Sequence, residues 1–313
     1  MWLVFPLFGT IFYNIGGYVQ NYLTDNAIPK KRAGSYIIIR IFCHLTALVL
    51  LLAVFGRAVF MMPILNALGM MLAGAINVIS TAFYCKALQK GDNADISIFG
   101  QVTPLFSVVL GMIILRESIA LNQWIGFIFI MVAIMYVVMG GRQKGGKKID
   151  PKVVILTIIS SFFSVLSDIV YAKYLIGTAD YTHFAQAFFF FEVGCIVFTI
   201  LATIFCESWR VAIKKTFISG PHHKRNFAYA LCENFTFLVA DILYKLGLLM
   251  APIKSLVSVI GRVVSLFTSL FITIFFGRVF PKFIGAKRPN KQTLMRYAVA
   301  AVFIVVGLVV MNY

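Results

Sequence analysis

Charge is scarce in this chain. Only 12% of its 313 residues are charged, against about 25% in an ordinary soluble domain. Hydrophobic residues make up 61%, and no water-soluble fold covers that much apolar surface with so few charges. Acids are the rarer sign, 11 against 28 Lys and Arg. Histidine occurs four times, as His44, His183 and the pair His222–His223, without zinc-type spacing to cysteine or acids. The five cysteines (Cys43, Cys85, Cys195, Cys206 and Cys232) are odd in number and scattered through apolar stretches. That placement argues against a disulfide framework or a metal site. No glycine-rich phosphate loop leads from a strand into a helix. An enzyme reading therefore has no catalytic group to stand on, and no cofactor or metal is expected.

What is present is a succession of long apolar runs. A hydrocarbon core roughly 30 Å thick needs about 20 apolar residues per helix. Ten such runs occupy 2–23, 35–55, 62–85, 95–115, 122–140, 153–175, 182–205, 226–250, 254–276 and 294–312. Short connections account for nearly everything else, so the expected fold is an all-α membrane protein of ten transmembrane helices. The first charge is Asp25, so residues 2–23 read as a first span rather than a cleaved signal peptide.

The net charge of +17 would suggest nucleic acid in a soluble protein. Its location points elsewhere. Most basic residues fall in five alternate connections: Lys30 to Arg32, Lys86 and Lys90, Arg142 to Lys152, Arg210 to Arg225, and Arg278 to Arg296. The intervening connections hold only Arg57, Arg116 and Lys254. By the positive-inside rule the basic loops lie in the cytoplasm and both termini outside a plasma membrane. The partners expected are lipid head groups and a small-molecule solute, with no nucleic acid.

Residues 141–152 read as a basic, glycine-rich linker between two halves, 1–140 and 153–313. Ser97 to Phe106 aligns without gaps with Ser258 to Phe267, matching at serine, glycine, valine, leucine and phenylalanine. Five helices per half is an odd number, so the second half would enter the bilayer inverted. Inverted five-helix repeats are a recurrent transporter architecture, with the solute site near the midplane. In 206–225, Trp209, Ile213 and Phe217 recur every four residues, as in an interfacial amphipathic helix. The basic connection 277–293, with Pro281 and Pro289, reads as a second surface anchor.

The stretch from Tyr84 to Val138 carries a recognisable pattern. Ala87-Leu88 ends the third span, Pro104 sits in the fourth, Glu117 closes it, and Gly126 opens the fifth. With Arg40 near the start of the second span, this resembles the drug/metabolite transporter superfamily, specifically the EamA-type permeases. The resemblance implies a ten-helix permease. It also implies termini in the cytoplasm, opposite to the charge distribution. In the second half Ser265 stands at the proline position and Arg278 near that of the glutamate.

Ionisable residues inside apolar spans carry the functional signal, since a charge in hydrocarbon costs about 2.5–3.5 kcal/mol on the mildest scale. Asp168, Glu192, Glu233 and Asp241 lie within spans of the second half, and Arg262 is the one deep basic residue counted among them. At about 1.5 Å per residue, Asp168, Glu192, Asp241 and Arg262 sit roughly 10–15 Å from the side bearing the termini. Ser258, Arg262, Ser265 and Ser269 form one stripe of the ninth span, facing Ser97, Gln101 and Pro104 of the fourth. Asn234, Asp241 and Lys245 form another on the eighth, where Tyr244 adjoins.

The plain alternatives are structural. Arg262 could pair with Asp168 or Asp241, Asp241 with Lys245 four residues on, and Glu233 with Arg225. Phe188–Phe191 reads as lipid-facing, and Gly69, Ala73 and Asn77 as a helix-packing face. An unpaired Glu192 should be protonated. The candidate solute-binding residues are thus Arg262, Asp241, Asp168, Glu192, Gln101, Ser258, Ser265 and Tyr244. With more deep acids than deep arginines, they suggest a cationic or zwitterionic metabolite such as an amino acid or amine, or coupling to a proton. The rival from another class is a non-transporting membrane subunit or lipid-handling scaffold whose buried charges serve assembly.

Overall fold

The computed structural model describes residues 3–27, 36–88, 90, 96, 99–140, 150–175, 180–220, 222–279 and 291–312. These residues form helices and no strand. The long helices are α1 (Val4–Asn26), α2 (Tyr36–Phe55), α3 (Ile64–Leu88), α5 (Leu121–Gly140), α6 (Pro151–Tyr174), α7 (Tyr181–Phe205), α9 (His223–Met250), α10 (Ser255–Val279) and α11 (Lys291–Asn312). Between α3 and α5 lies a composite helix: a 3₁₀ turn (Gly100–Val102), α4 (Thr103–Leu110) and a π turn (Gly111–Leu115). The remaining helix, α8 (Glu207–Ile213), is short and runs into a π turn, Lys214–Ile218. Over their described residues the ten apolar runs fall on helices. Six helices among the described residues are long and apolar enough to cross a membrane. Three further apolar helices, Gly100–Leu115, Leu121–Val137 and Leu294–Gly307, are shorter.

Local chemistry sets the helix ends. Asp150 caps α6 by accepting from the Lys152 amide at 2.9 Å, with Pro151 in the first turn, where its missing N–H costs nothing. Asp180 caps α7 through the Thr182 amide at 3.0 Å. That bond, with His183 beside it, holds the Asp180 carboxyl below its ordinary range. Pro104 occupies the first turn of α4. The composite helix stops at Arg116, whose φ of 56° is left-handed.

Helix packing depends on small residues and on hydroxyls. A Cβ on Gly74 would overlap the Phe191 carbonyl oxygen, and one on Gly194 the Met71 carbonyl oxygen. Glycine alone permits the α3–α7 crossing. A Cβ on Gly69 would collide with the Tyr174 hydroxyl and Ala73 is fully buried, so the expected packing face on α3 is real. Ser80 and Ser160 exchange bonds between α3 and α6, each hydroxyl donating to the other residue's carbonyl at 2.8 and 2.9 Å. Contrary to the lipid-facing expectation, Phe188, Phe189 and Phe191 are buried. Phe191 packs edge-on against Tyr171 with centroids 5.6 Å apart. The apolar run is thick enough to be covered on both sides by α2, α3 and α6. At the basic end, Phe217 and Ile213 pack into a cluster with Leu23, Tyr36 and Ala230. The amphipathic segment is thereby anchored to the bundle, and α8 with its π turn spans Trp209, Ile213 and Phe217 as the periodicity suggested.

Candidate functional site

The buried charges from α2, α6, α7, α9 and α10 converge on one region. Asp168 on α6 accepts from Lys245 of α9 at 3.2 Å. Tyr244 lies beside the same carboxylate. Lys245, only 2% exposed, lies over the rings of Tyr171 and Phe191 at 4.3 and 4.1 Å, where the ring quadrupoles favour a cation. The local Asp241–Lys245 pair expected from their spacing does not form. Lys245 reaches across to another helix instead, where the acid and two aromatic faces together offer more than one neighbour on its own helix.

Glu192 on α7 is bonded to His44 Nδ1 of α2. The condition of an unpaired Glu192, weighed from sequence, is therefore not met. Cys195, one turn on, completes a cluster with these two, their ligand-type atoms lying within 4.8 Å of one another. Sequence spacing hid this group because His44 and Glu192 are 148 residues apart.

Arg262 makes no ion pair with Asp168 or Asp241. Its Nη2 donates to the Thr103 hydroxyl of α4 at 2.9 Å, and Thr103 donates in turn to the Gly100 carbonyl at 2.6 Å. Gln101, on the same 3₁₀ turn, is buried. Of the stripe residues on α10, Ser265 is engaged with Asn14 of α1 at 2.9 Å. The Ser258 hydroxyl donates to the Ser255 carbonyl at 3.2 Å. The Ser265 bond ties α10 to α1, whereas that of Ser258 stays within α10. Ser97 lies outside the described residues, as does the side chain of Ser269.

Asp241 forms no ion pair among the described residues, yet lies within electrostatic reach of Lys245, Glu192, Arg40 and His44. Tyr13 of α1 is similarly surrounded by Arg40, Asp241, Arg262 and Asp168. Arg40 rests over the Phe237 ring at 4.4 Å. Glu233 does not reach Arg225. It is fully buried, and both carboxylate oxygens lack a hydrogen-bond partner among the described residues. With Lys245–Asp168 and His44–Glu192 paired off, two guanidinium groups, Arg40 and Arg262, remain against the carboxyls of Asp241 and Glu233. The excess of deep acids inferred from sequence disappears once Arg40, His44 and Lys245 are seen to share the same region.

At the other end of the composite helix, Glu117 caps α10 from the connection that follows it. Its carboxylate accepts from the amides of Lys254 and Ser255 at 2.6 and 3.2 Å. Lys254 in turn donates to the last carbonyls of α9, those of Leu249 and Ala251, at 2.8 and 2.9 Å. Partial burial lowers the Lys254 ammonium pKa, against the opposing pull of Glu117.

A proline-started fourth helix whose closing glutamate seats another helix is the motif singled out above. Residues 3–139 match the EamA-like transporter family. Arg40, Ala87, Leu88, Pro104, Glu117 and Gly126 all lie in that stretch. The EamA-like match stops at the linker, but a likeness of fold continues beyond it. A solved structure described as "Crystal structure of protein" is similar with a TM-score of 0.64 over 98% of this chain and 94% of that one, at 13% identity. No curated protein matches. The EamA-like match, with six helices long and apolar enough to cross a membrane, supports a multi-pass membrane protein.

Proposed function

We propose that the chain is a secondary transporter of ten transmembrane helices, built as two inverted five-helix repeats. It moves a small polar metabolite across the plasma membrane by alternating access, with the basic loops cytoplasmic and both termini outside. The packing pattern supports the repeat. Setting α1 to α5 equivalent to α6, α7, α9, α10 and α11, the pair α1–α9 corresponds to α3–α6. In the same way α1–α10 corresponds to α4–α6, and α2–α9 to α3–α7. The pairs α2–α7, α4–α10 and α5–α11 map onto themselves. A two-fold relation produces this exchange, and five crossings per repeat would put its axis in the membrane plane.

The observation that carries the functional reading is Arg262. Its guanidinium stays charged at any working pH and offers five donors, yet its protein partner is a neutral hydroxyl. An uncompensated charge at this depth is costly, and an anionic group on the solute is the natural complement. Asp241, without an ion-pair partner among the described residues, complements an ammonium. The pair therefore suits a zwitterion such as an amino acid better than a plain amine, with Tyr244 and Gln101 near the same groups. Any coupling proton would reside on one of the buried carboxyls.

Uptake by purified protein in liposomes, with and without a pH gradient, tests this. Arg262→Gln should insert and purify normally but lose uptake, because the neutral amide still bonds Thr103 while no longer attracting a carboxylate. Asp241→Asn should weaken uptake as well. Wild-type rates in Arg262→Gln would make the charge structural. Absence of uptake for every amino acid and amine tried with the unmodified chain would favour the scaffold reading.

A further inference from the structure

The cluster on α2 and α7 combines three different donor chemistries. His44 presents an imidazole nitrogen, Glu192 a carboxylate oxygen and Cys195 a thiol sulfur, within 4.8 Å of one another. They are 6%, 2% and 0% exposed. Glu192 and Cys195 are three residues apart and so share a face of α7, which meets His44 of α2. Magnesium and calcium take all-oxygen sites, whereas mixed N, O and S donors suit a borderline ion of the zinc class. Charge balance reinforces this. A divalent ion bound by a carboxylate, a thiolate and a neutral imidazole makes a site of zero net charge, which a low-dielectric interior tolerates. The thiol and imidazole must release any protons they carry. Without the ion, the histidine–glutamate bond satisfies two of the ligands and the thiol is spent on the Gly74 carbonyl at 3.4 Å. None of these bonds is needed to hold the helices together, since the α2–α7 and α3–α7 contacts are already densely apolar.

We propose that His44, Glu192 and Cys195 form a three-ligand site for a divalent transition-metal ion of the zinc class, joining α2 to α7 and leaving a fourth position open. If the two halves rock against each other as proposed above, occupancy would clamp them. That consequence rests on the transport reading, whereas the binding itself does not.

Cobalt is the probe. Titrating the purified full chain with Co²⁺ should give one equivalent of binding with a thiolate-to-cobalt charge-transfer band in the near ultraviolet, displaced by Zn²⁺. Cys195→Ser should abolish that band. His44→Gln should weaken binding by more than the roughly 10–100-fold that loss of an outer-shell partner costs. Cys232→Ser, at an exposed thiol of α9, should leave both unchanged. Should Cys195→Ser fail to fold, the wild-type chain supplies a second readout. Zn²⁺ should slow modification of Cys195 by a small thiol reagent, mapped by mass spectrometry. No charge-transfer band in the folded wild type, a band that persists in Cys195→Ser, or unchanged Cys195 modification would each overturn the site. These results do not depend on whether any solute is transported.

Discussion

Replacing Asp168 by asparagine would strand the Lys245 ammonium. Lys245 is 2% exposed, and its charged neighbour is the Asp168 carboxylate at 3.2 Å. Removing one partner of a buried ion pair costs about 3–5 kcal/mol. The lower end applies, because the Asp168 side chain is 26% exposed and the Tyr171 and Phe191 rings still hold the cation. At about 1.4 kcal/mol per factor of ten, a loss near 3 kcal/mol is a ~100-fold smaller folding constant. Lys245→Met in the same chain removes the stranded charge and keeps the side-chain length. The double variant should recover most of the loss, since a well-packed apolar replacement for a buried pair is often neutral. Equilibrium unfolding in mixed micelles, followed by helix signal, measures both. If Asp168→Asn is as stable as the wild type, or the double variant no better than the single, the pair does not hold α6 to α9 in the way described.

Three further outcomes follow from particular contacts. Gly74→Ala would force a methyl group onto the Phe191 carbonyl oxygen, and overpacking of this kind costs about 1–3 kcal/mol. Gly17→Ala, where a Cβ meets nothing within 4 Å, should be silent in the same assay. The Asp180 carboxyl is held below its ordinary range chiefly by the Thr182 amide. Its support of α7 should thus be complete above the unfolded value of ~3.9 and be lost as pH falls through the lower folded value. Amide exchange in the first turn of α7 reads this, and acceleration on raising the pH from 4 to 7 beyond the intrinsic rate would contradict it. A reporter fused after Tyr313 should behave as extracellular and a tag within 141–152 as cytoplasmic, while the reverse would restore the orientation implied by the family resemblance.

The helices were legible because each needs a run of apolar residues, and a run survives any rearrangement of its neighbours. Partner choice was not legible. Asp168 and Lys245 are 77 residues apart, so sequence offered Asp241 as the nearer and mistaken partner of Lys245. Arg40 was noted only as a family feature, yet it belongs to the same charged region as Arg262 and Asp241. Counting it, with His44 and Lys245, removes the excess of deep acids inferred from sequence. Glu117 was recognised by its place in the family pattern. Its work as the cap of α10 rests on bonds to Lys254 and Ser255, 137 and 138 residues away, which no local signal announces.

Among the described residues, most polar ties between helices join the first half of the chain to the second. Ser80 bonds Ser160, Ser167 bonds Ala73, Gln186 bonds Ala58, Asn234 bonds Ile39, Ser107 bonds Ser255 and Arg262 bonds Thr103. Hydrogen bonds between membrane helices average about 0.6 kcal/mol each, so exchanging several of them sums to a few kcal/mol. That is the scale separating two populated conformations. The apolar contacts of α2 and α3 with α7 are the part of the interface that resists such an exchange. Lys245–Asp168 is different in both respects: it lies wholly within the second half, and it is worth several times one of these bonds. On the alternating-access reading it should therefore persist in every state, moving with its half as a rigid unit. The ties of Arg262 and Glu117 across the α4–α10 contact are the ones a moving half must trade.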